Sequence, residues 1–156
     1  MEKVFTIKNE QEMINFGNNI GKLAFPNMVI SIEGTLGAGK TVLAKGIGQG
    51  LGVKDVINSP TFTIMKIYPG RLTFYHLDVY RLSSGEEDFD LEEYFEKDGV
   101  SYIEWGKNIL DLLPKNRLEI VIDINDDLTR AVKVKAYGSQ YEAFLNEVSK
   151  YENYDS

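Results

Sequence analysis

The chain has 156 residues, 17 of them basic and 24 acidic, a formal charge of -7 and no cysteine. That length suits one domain able to bury a core without covalent staples, and the missing thiols exclude disulfides and thiolate metal sites while fitting a reducing compartment. Only four of the basic residues are arginines, and an acidic surface repels a nucleic-acid backbone, which disfavours direct duplex binding and favours protein or small-ligand partners.

Residues 4–7 alternate in polarity and predict a short strand. Asn9, with Glu12 three positions on, forms a capping box that opens a helix through about Leu23. Met13, Ile14, Phe16 or Gly17, Ile20 and Leu23 mark its buried stripe. An apolar run at 28–32 then reads as a strand leading into Gly34-Thr35-Leu36-Gly37-Ala38-Gly39-Lys40-Thr41. This octet fits G-x-x-x-x-G-K-[ST], the loop that wraps nucleotide phosphates. Its glycines let the backbone turn tightly and bring successive N–H groups onto phosphate oxygens. The helix predicted at 41–51 points its partly positive N-terminus at the same anion. In that frame Lys40 reaches the β- and γ-phosphates and the Thr41 hydroxyl ligates Mg²⁺. Gly46, Gly48 and Gly50 interrupt this helix, each at about 1 kcal/mol against alanine. Close packing on the sheet and flexibility explain them equally well.

Residues 61–68 and 72–77 form a predicted hairpin about Pro69-Gly70. Ser59-Pro60-Thr61 ahead of it reads two ways: a proline-opened strand with decorating hydroxyls, or a loop that senses the γ-phosphate. An acidic helix follows at 86–95, burying Leu91, Tyr94 and Phe95. Residues 100–103 read as a strand closed by Glu104, and 118–124 and 131–136 as strands joined through Asn125-Asp126-Asp127. Tyr141, Phe144, Leu145, Val148 and Tyr151 form the docking stripe of a last helix, after which residues 153–156 fray. The order of elements predicts a P-loop NTPase-like α/β fold: a mixed, largely parallel sheet flanked by helices, with antiparallel additions, in a single domain over 1–156. The first residues lack the basic start and apolar core of a signal peptide, and no run reaches membrane-spanning length. A soluble, cytoplasmic protein is the expectation.

Chemistry beyond phosphate binding needs an acid near the metal. Glu104 and Asp78 each end a predicted strand, and ligands of open α/β sheets bind beyond the carboxyl ends of strands. If those strands are parallel, both carboxylates project to the P-loop; otherwise either one merely caps a strand or turn. His76 is the sole histidine and shares a strand face with Asp78 by alternation, so the pair can hydrogen-bond. A structural role suits it better than catalysis, because phosphoryl transfer needs positioning and charge more than an imidazole base. Arg81 neutralises transition-state charge or simply pairs with an acid.

GTLGAGKT at 34–41, SPTF at 59–62, HLDVYRL at 76–82 and IEW at 103–105 together resemble the TsaE (YjeE) family. These are bacterial P-loop ATPases required for threonylcarbamoyladenosine formation on tRNA. The four motifs stand in the family's order across about 9–136; the P-loop alone is widespread, the set is specific. Val42 takes a place where a hydroxyl residue is common, and Gly106 a variable one. The resemblance implies binding of ATP and Mg²⁺ and slow hydrolysis by the chain alone. It also implies joint action with two partners, of TsaB and TsaD type, that carry the carbamoyl-transfer site, with tRNA met through them. It makes Lys40, Asp78 and Glu104 catalytic, Thr41 and Glu104 metal ligands, and Gly34 through Val42 the phosphate cradle. Thr61 becomes a switch-like contact, Asn9 and Arg130 neighbours of the base, and Trp105 structural or partner-facing. Two alternatives stand beside this: a small P-loop kinase, for which four scattered arginines supply a poor lid, and a non-hydrolysing ATP-binding regulatory module. A GTP switch lacks its N-K-x-D signature.

Overall fold

A computed structural model describes the chain except residues 36, 59–64, 81–94, 96–97, 153 and 156. The first strand, β1 (Glu2–Ile7), hands over to α1 (Glu10–Leu23) through the capping box. Asn9 Oδ1 accepts the Glu12 N–H at 2.8 Å, and the Glu12 carboxylate accepts the Lys8 N–H, one residue ahead of the cap, at 2.7 Å. At the other end Arg71 donates to the carbonyls of Gly21 and Ala24, satisfying acceptors that a helix C-terminus leaves open.

Next come β2 (Met28–Gly34), α2 (Lys40–Gly50), β3 (Met65–Tyr68), β4 (Thr73–Asp78) and β5 (Gly99–Glu104). A 3-10 segment (Gly106–Leu112), β6 (Arg117–Ile124), β7 (Arg130–Tyr137), α3 (Ser139–Ser149) and β8 (Tyr154–Asp155) complete the order. One sheet runs β3-β4-β5-β2-β6-β7-β1-β8. Its centre, β4, β5, β2 and β6, is parallel, and every other pairing is antiparallel. Burial on both faces explains the near-continuous apolar runs of β2 and β5. Pro69-Gly70 folds β3 back onto β4, with Tyr68 opposite Phe74. The 125–129 turn does the same for β7, its Asn125 N–H donating to the Thr129 carbonyl at 2.8 Å.

Alternation sorts the sheet into two cores. Met28, Ile30, Ile32, Phe74, Tyr102 and Ile120 pack beneath the helices. Val29, Tyr75, Leu77 and Ile103 meet Phe95, Ile109 and Leu113 on the other face. No described helix is long and apolar enough to cross a membrane.

Two of the three glycines of α2 answer to a helix rather than to the sheet, while a Cβ on Gly48 would meet the Ile57 side chain at 2.0 Å. Gly46 and Gly50 lie against Gly17 and Gly21 of α1, so a Cβ on Gly46 would sit 2.4 Å from the Ile14 carbonyl oxygen and one on Gly50 2.3 Å from that of Asn18. Close packing is therefore their reason, on a different neighbour from the expected one. A Cβ on Gly21 would fall 2.2 Å from the Ile47 carbonyl oxygen. Backbone cannot give way as a side-chain tip can, so overpacking of about 1–3 kcal/mol outweighs the roughly 1 kcal/mol of helix propensity gained. Gly21→Ala should lower the melting temperature by about 2–4 °C per net kcal/mol lost; an unchanged or raised melt contradicts the packing account.

One expectation is corrected at the C-terminus. Tyr151 follows the last turn of α3 and is 63% exposed, because the chain turns after Ser149 and carries the side chain off the stripe. Within the 153–156 segment expected to fray, Tyr154–Asp155 pairs with Phe5 and Val4, covering part of an edge that would leave backbone groups unpaired. The acidic helix expected at 86–95 lies outside the described residues apart from Phe95, which is buried. Residues 61–64 of the predicted hairpin also lie outside them.

Candidate nucleotide site

Because β2, β4, β5 and β6 are parallel, their carboxyl ends share one edge, gathering Gly34, Asp78, Glu104 and the 125–129 turn. Ligands of open α/β sheets bind at this edge. β1 and β7 are antiparallel with Ile7 opposite Arg130, so Asn9 and Arg130 reach the same edge from across the sheet.

The loop after β2 needs left-handed backbone at Gly37 (φ +82) and Gly39 (φ +117), where a Cβ is disfavoured. Ala38 N–H donates to the Thr35 carbonyl at 3.0 Å, tightening the turn. Leu36 lies outside the described residues. Gly39 then starts α2 with no side-chain cap and no acid in the first turn. By contrast α1 starts with Asn9, Glu10 and Glu12, and α3 has Glu142 in its first turn. The first-turn N–H groups of α2, Thr41 among them, are thus left for an anion, and the helix dipole favours one there.

Lys40 is only 8% exposed and Glu104 only 4%. The Lys40 ammonium lies 3.9 Å from Glu104 Oε1 and 4.3 Å from the centroid of the Trp105 ring. Trp105 takes a left-handed backbone (φ +65), which turns the chain directly after Glu104 and brings the indole beside Lys40. Tyr80 tilts against the same indole. From β5, the Tyr102 hydroxyl donates to the Lys40 carbonyl at 2.6 Å. Burial, with the charge of Glu104 adding to it, pushes the Tyr102 pKa well above the usual phenol range. It therefore remains a hydroxyl donor.

His76 does not pair with Asp78. Its Nε2 lies 2.7 Å from Glu104 Oε2 on the neighbouring strand, since parallel register sets His76 opposite Tyr102 and Asp78 opposite Glu104. Asp78 is half-buried and its Oδ1 accepts the Tyr80 N–H at 3.0 Å. Thr61 and Arg81 lie outside the described residues.

Arg130 acts on the loop itself. Its Nε donates to the Ala38 carbonyl at 3.0 Å, and its terminal nitrogens reach the carbonyls of Gly37 and Leu128. Asn9, Met13, Val42, Leu128 and Arg130 line a cavity of about 200 Å³ beside Gly37 to Gly39. A wider groove of about 820 Å³ along α1 includes no residue of the 34–42 segment in its lining, so size is a poor guide here. On the opposite face of β2, Glu33 accepts the Lys107 N–H at 2.9 Å, tying the start of the loop to the turn after Trp105. Burial raises the Glu33 pKa, against the pull of that N–H.

The structure thus brings together Lys40, Glu104 and the loop, with Asp78 beside Glu104 in register and Asn9, Val42 and Arg130 around one hollow. Sequence reasoning missed Tyr102 as an anchor of Lys40 and the stacking of Trp105 with Lys40. Tyr102 leaves one local signal, a tyrosine two residues before Glu104 on the same face of a buried strand, where its hydroxyl needs a partner.

A family model described as threonylcarbamoyl adenosine biosynthesis protein TsaE matches residues 7–132. The chain is 42% identical over 146 residues to the tRNA threonylcarbamoyladenosine biosynthesis protein TsaE of Bacillus subtilis (strain 168), covering 93% of this chain and 92% of that one. It is 40% identical over 129 residues to the protein of that name from Treponema pallidum (strain Nichols), covering 81% and 96%. The crystal structure of Bacillus subtilis YdiB superposes with a TM-score of 0.88 at 36% identity, over 98% of this chain and 97% of that one. Matches of this extent, on a chain whose strand-end acids and glycine loop already share one sheet edge, establish that it belongs to the TsaE family.

Proposed function

We propose that the chain is a Mg²⁺-dependent ATPase in threonylcarbamoyladenosine modification of tRNA, acting with two partner proteins of TsaB and TsaD type. The observation that carries this reading is the uncapped N-terminus of α2, with Lys40 and Glu104 facing each other beside it at the carboxyl edge of the sheet.

The donor set suits the metal. Among the described residues no three histidines, cysteines or acids cluster as a closed cage would require. Mg²⁺ needs no such cage, being held through one or two carboxylates together with substrate phosphates and waters. The Thr41 hydroxyl and the Glu104 carboxylate are hard oxygen donors of that kind. When bound, the ion offsets charge on the phosphate oxygens. The chain's own groups do the rest. Loop and first-turn N–H groups hold the phosphates, and Lys40 adds charge to the β- and γ-phosphates. Asp78 orients the attacking water, Thr61 contacts the γ-phosphate side, and the hollow of Asn9, Val42 and Arg130 receives the base.

Arg130 is committed to the carbonyls of Gly37, Ala38 and Leu128, so it does not serve as a free transition-state cation. An arginine finger contributes about 10³–10⁵ in rate where present. Among the described residues Arg71, Arg117 and Arg130 are all engaged elsewhere, and with no finger among them hydrolysis by the chain alone should be slow, well under the roughly 1–100 s⁻¹ of kinases, and rise when both partners are added. Turnover measured alone, with the partners, and with and without tRNA tests this. Kinase-like phosphorylation of a metabolite by the purified chain would replace the reading. The net charge of -7 favours contact with tRNA through the partners.

A further inference from the structure

The only histidine in the chain is fully buried in β4, and the chemistry above makes no use of it. Its Nε2 faces Glu104 Oε2 at 2.7 Å, while Nδ1 is buried with no hydrogen-bond partner among the described residues. The ring is locked by neighbours: Phe74 stacks on it at 6.0 Å between centroids, and Tyr102 meets it edge-on at 5.2 Å. Two bare acceptors at that separation repel, so the geometry assigns the proton to Nε2. A phenyl ring would fill the same space without stranding a nitrogen. The imidazole is therefore explained by its hydrogen bond to Glu104 and not by packing alone.

We propose that His76 is a positioning residue for the metal-binding carboxylate, an inference that rests on the nucleotide reading of the site. Its Nε2–H holds Glu104 Oε2 in the core and fixes the rotation of the carboxylate. Oε1 is thereby turned to the side where Lys40 stands at 3.9 Å. Hydrogen-bond partners of metal ligands commonly act this way, and losing one costs about 10–100-fold in metal affinity or activity.

Because there is one histidine, its ring nitrogens give a single pair of ¹⁵N resonances in histidine-labelled protein, readable without nucleotide or turnover. The expected pattern is a protonated Nε2 and a bare Nδ1; a proton on Nδ1 with a bare Nε2 overturns the proposal. The second measurement is calorimetric titration with a non-hydrolysable ATP analogue, with Mg²⁺ and with the metal chelated. His76→Phe should lose about 10–100-fold of the Mg²⁺-dependent affinity and keep the metal-free affinity. His76→Gln, which offers an N–H near the same point, should restore most of the loss. Equal losses in both variants, or none in His76→Phe, overturn the proposal while leaving the nucleotide reading intact. Absence of Mg²⁺-dependent binding in the unaltered chain overturns that reading, and the proposal with it.

Discussion

Lys40→Ala should abolish ATP turnover while the chain stays folded. Lys40 stands in the first turn of α2, where the helix dipole and open N–H groups supply only partial charges. Among the described residues its ammonium stands 3.9 Å from Glu104 Oε1 and 4.3 Å from the Trp105 ring, with Lys107 farther off at 5.7 Å from the same indole. Phosphoryl transfer is almost entirely positioning and charge stabilisation, so removing that charge removes most of what the chain contributes. The substitution also leaves Glu104 buried with His76 as its side-chain partner among the described residues. Breaking a tight buried pair costs about 3–5 kcal/mol. At 3.9 Å this pair is at the outer limit of contact, so the loss of stability should be smaller than that. Circular dichroism and a melting curve separate the two effects: a native spectrum with no turnover supports the role, and turnover near the original contradicts it.

Glu104→Ala should lower turnover by about 10²–10³, the scale on which single charge-stabilising groups act. The carboxylate is held by His76 on one oxygen and faces Lys40 with the other, so its geometry is set before any ligand arrives. Nucleotide should still bind when the metal is chelated, because loop N–H groups and Lys40 remain. Loss of metal-free binding as well would point to collapse of the loop instead, and unchanged turnover would remove Glu104 from the chemistry.

What was legible in the chain was local. Asn9 and Glu12 form a hydrogen-bonded cap within four residues, so the start of α1 could be read from them alone. The glycine loop carries its own spacing, and Pro69-Gly70 and Asn125-Asp126-Asp127 mark their turns by backbone chemistry. The largely parallel sheet followed from the order of the elements. What stayed hidden depended on register between distant segments. His76 and Glu104 are 28 residues apart, and alternation along β4 offered only Asp78 as a neighbour. The packing of Gly46 and Gly50 on Gly17 and Gly21 needed the crossing of two helices, which no periodicity within either one specifies. Tyr154–Asp155 joins an edge strand at the other end of the chain, beyond the reach of composition.

A crystal structure of the chain with Mg²⁺ and a non-hydrolysable ATP analogue tests the nucleotide site directly. Phosphates should lie against the N–H groups of residues 37–41 with Lys40 on the terminal ones, and a metal ligated by Thr41 on the Glu104 side. The base should sit in the hollow between Asn9 and Arg130. A triphosphate bound elsewhere, or a metal whose ligands exclude both Thr41 and Glu104, would contradict the nucleotide reading.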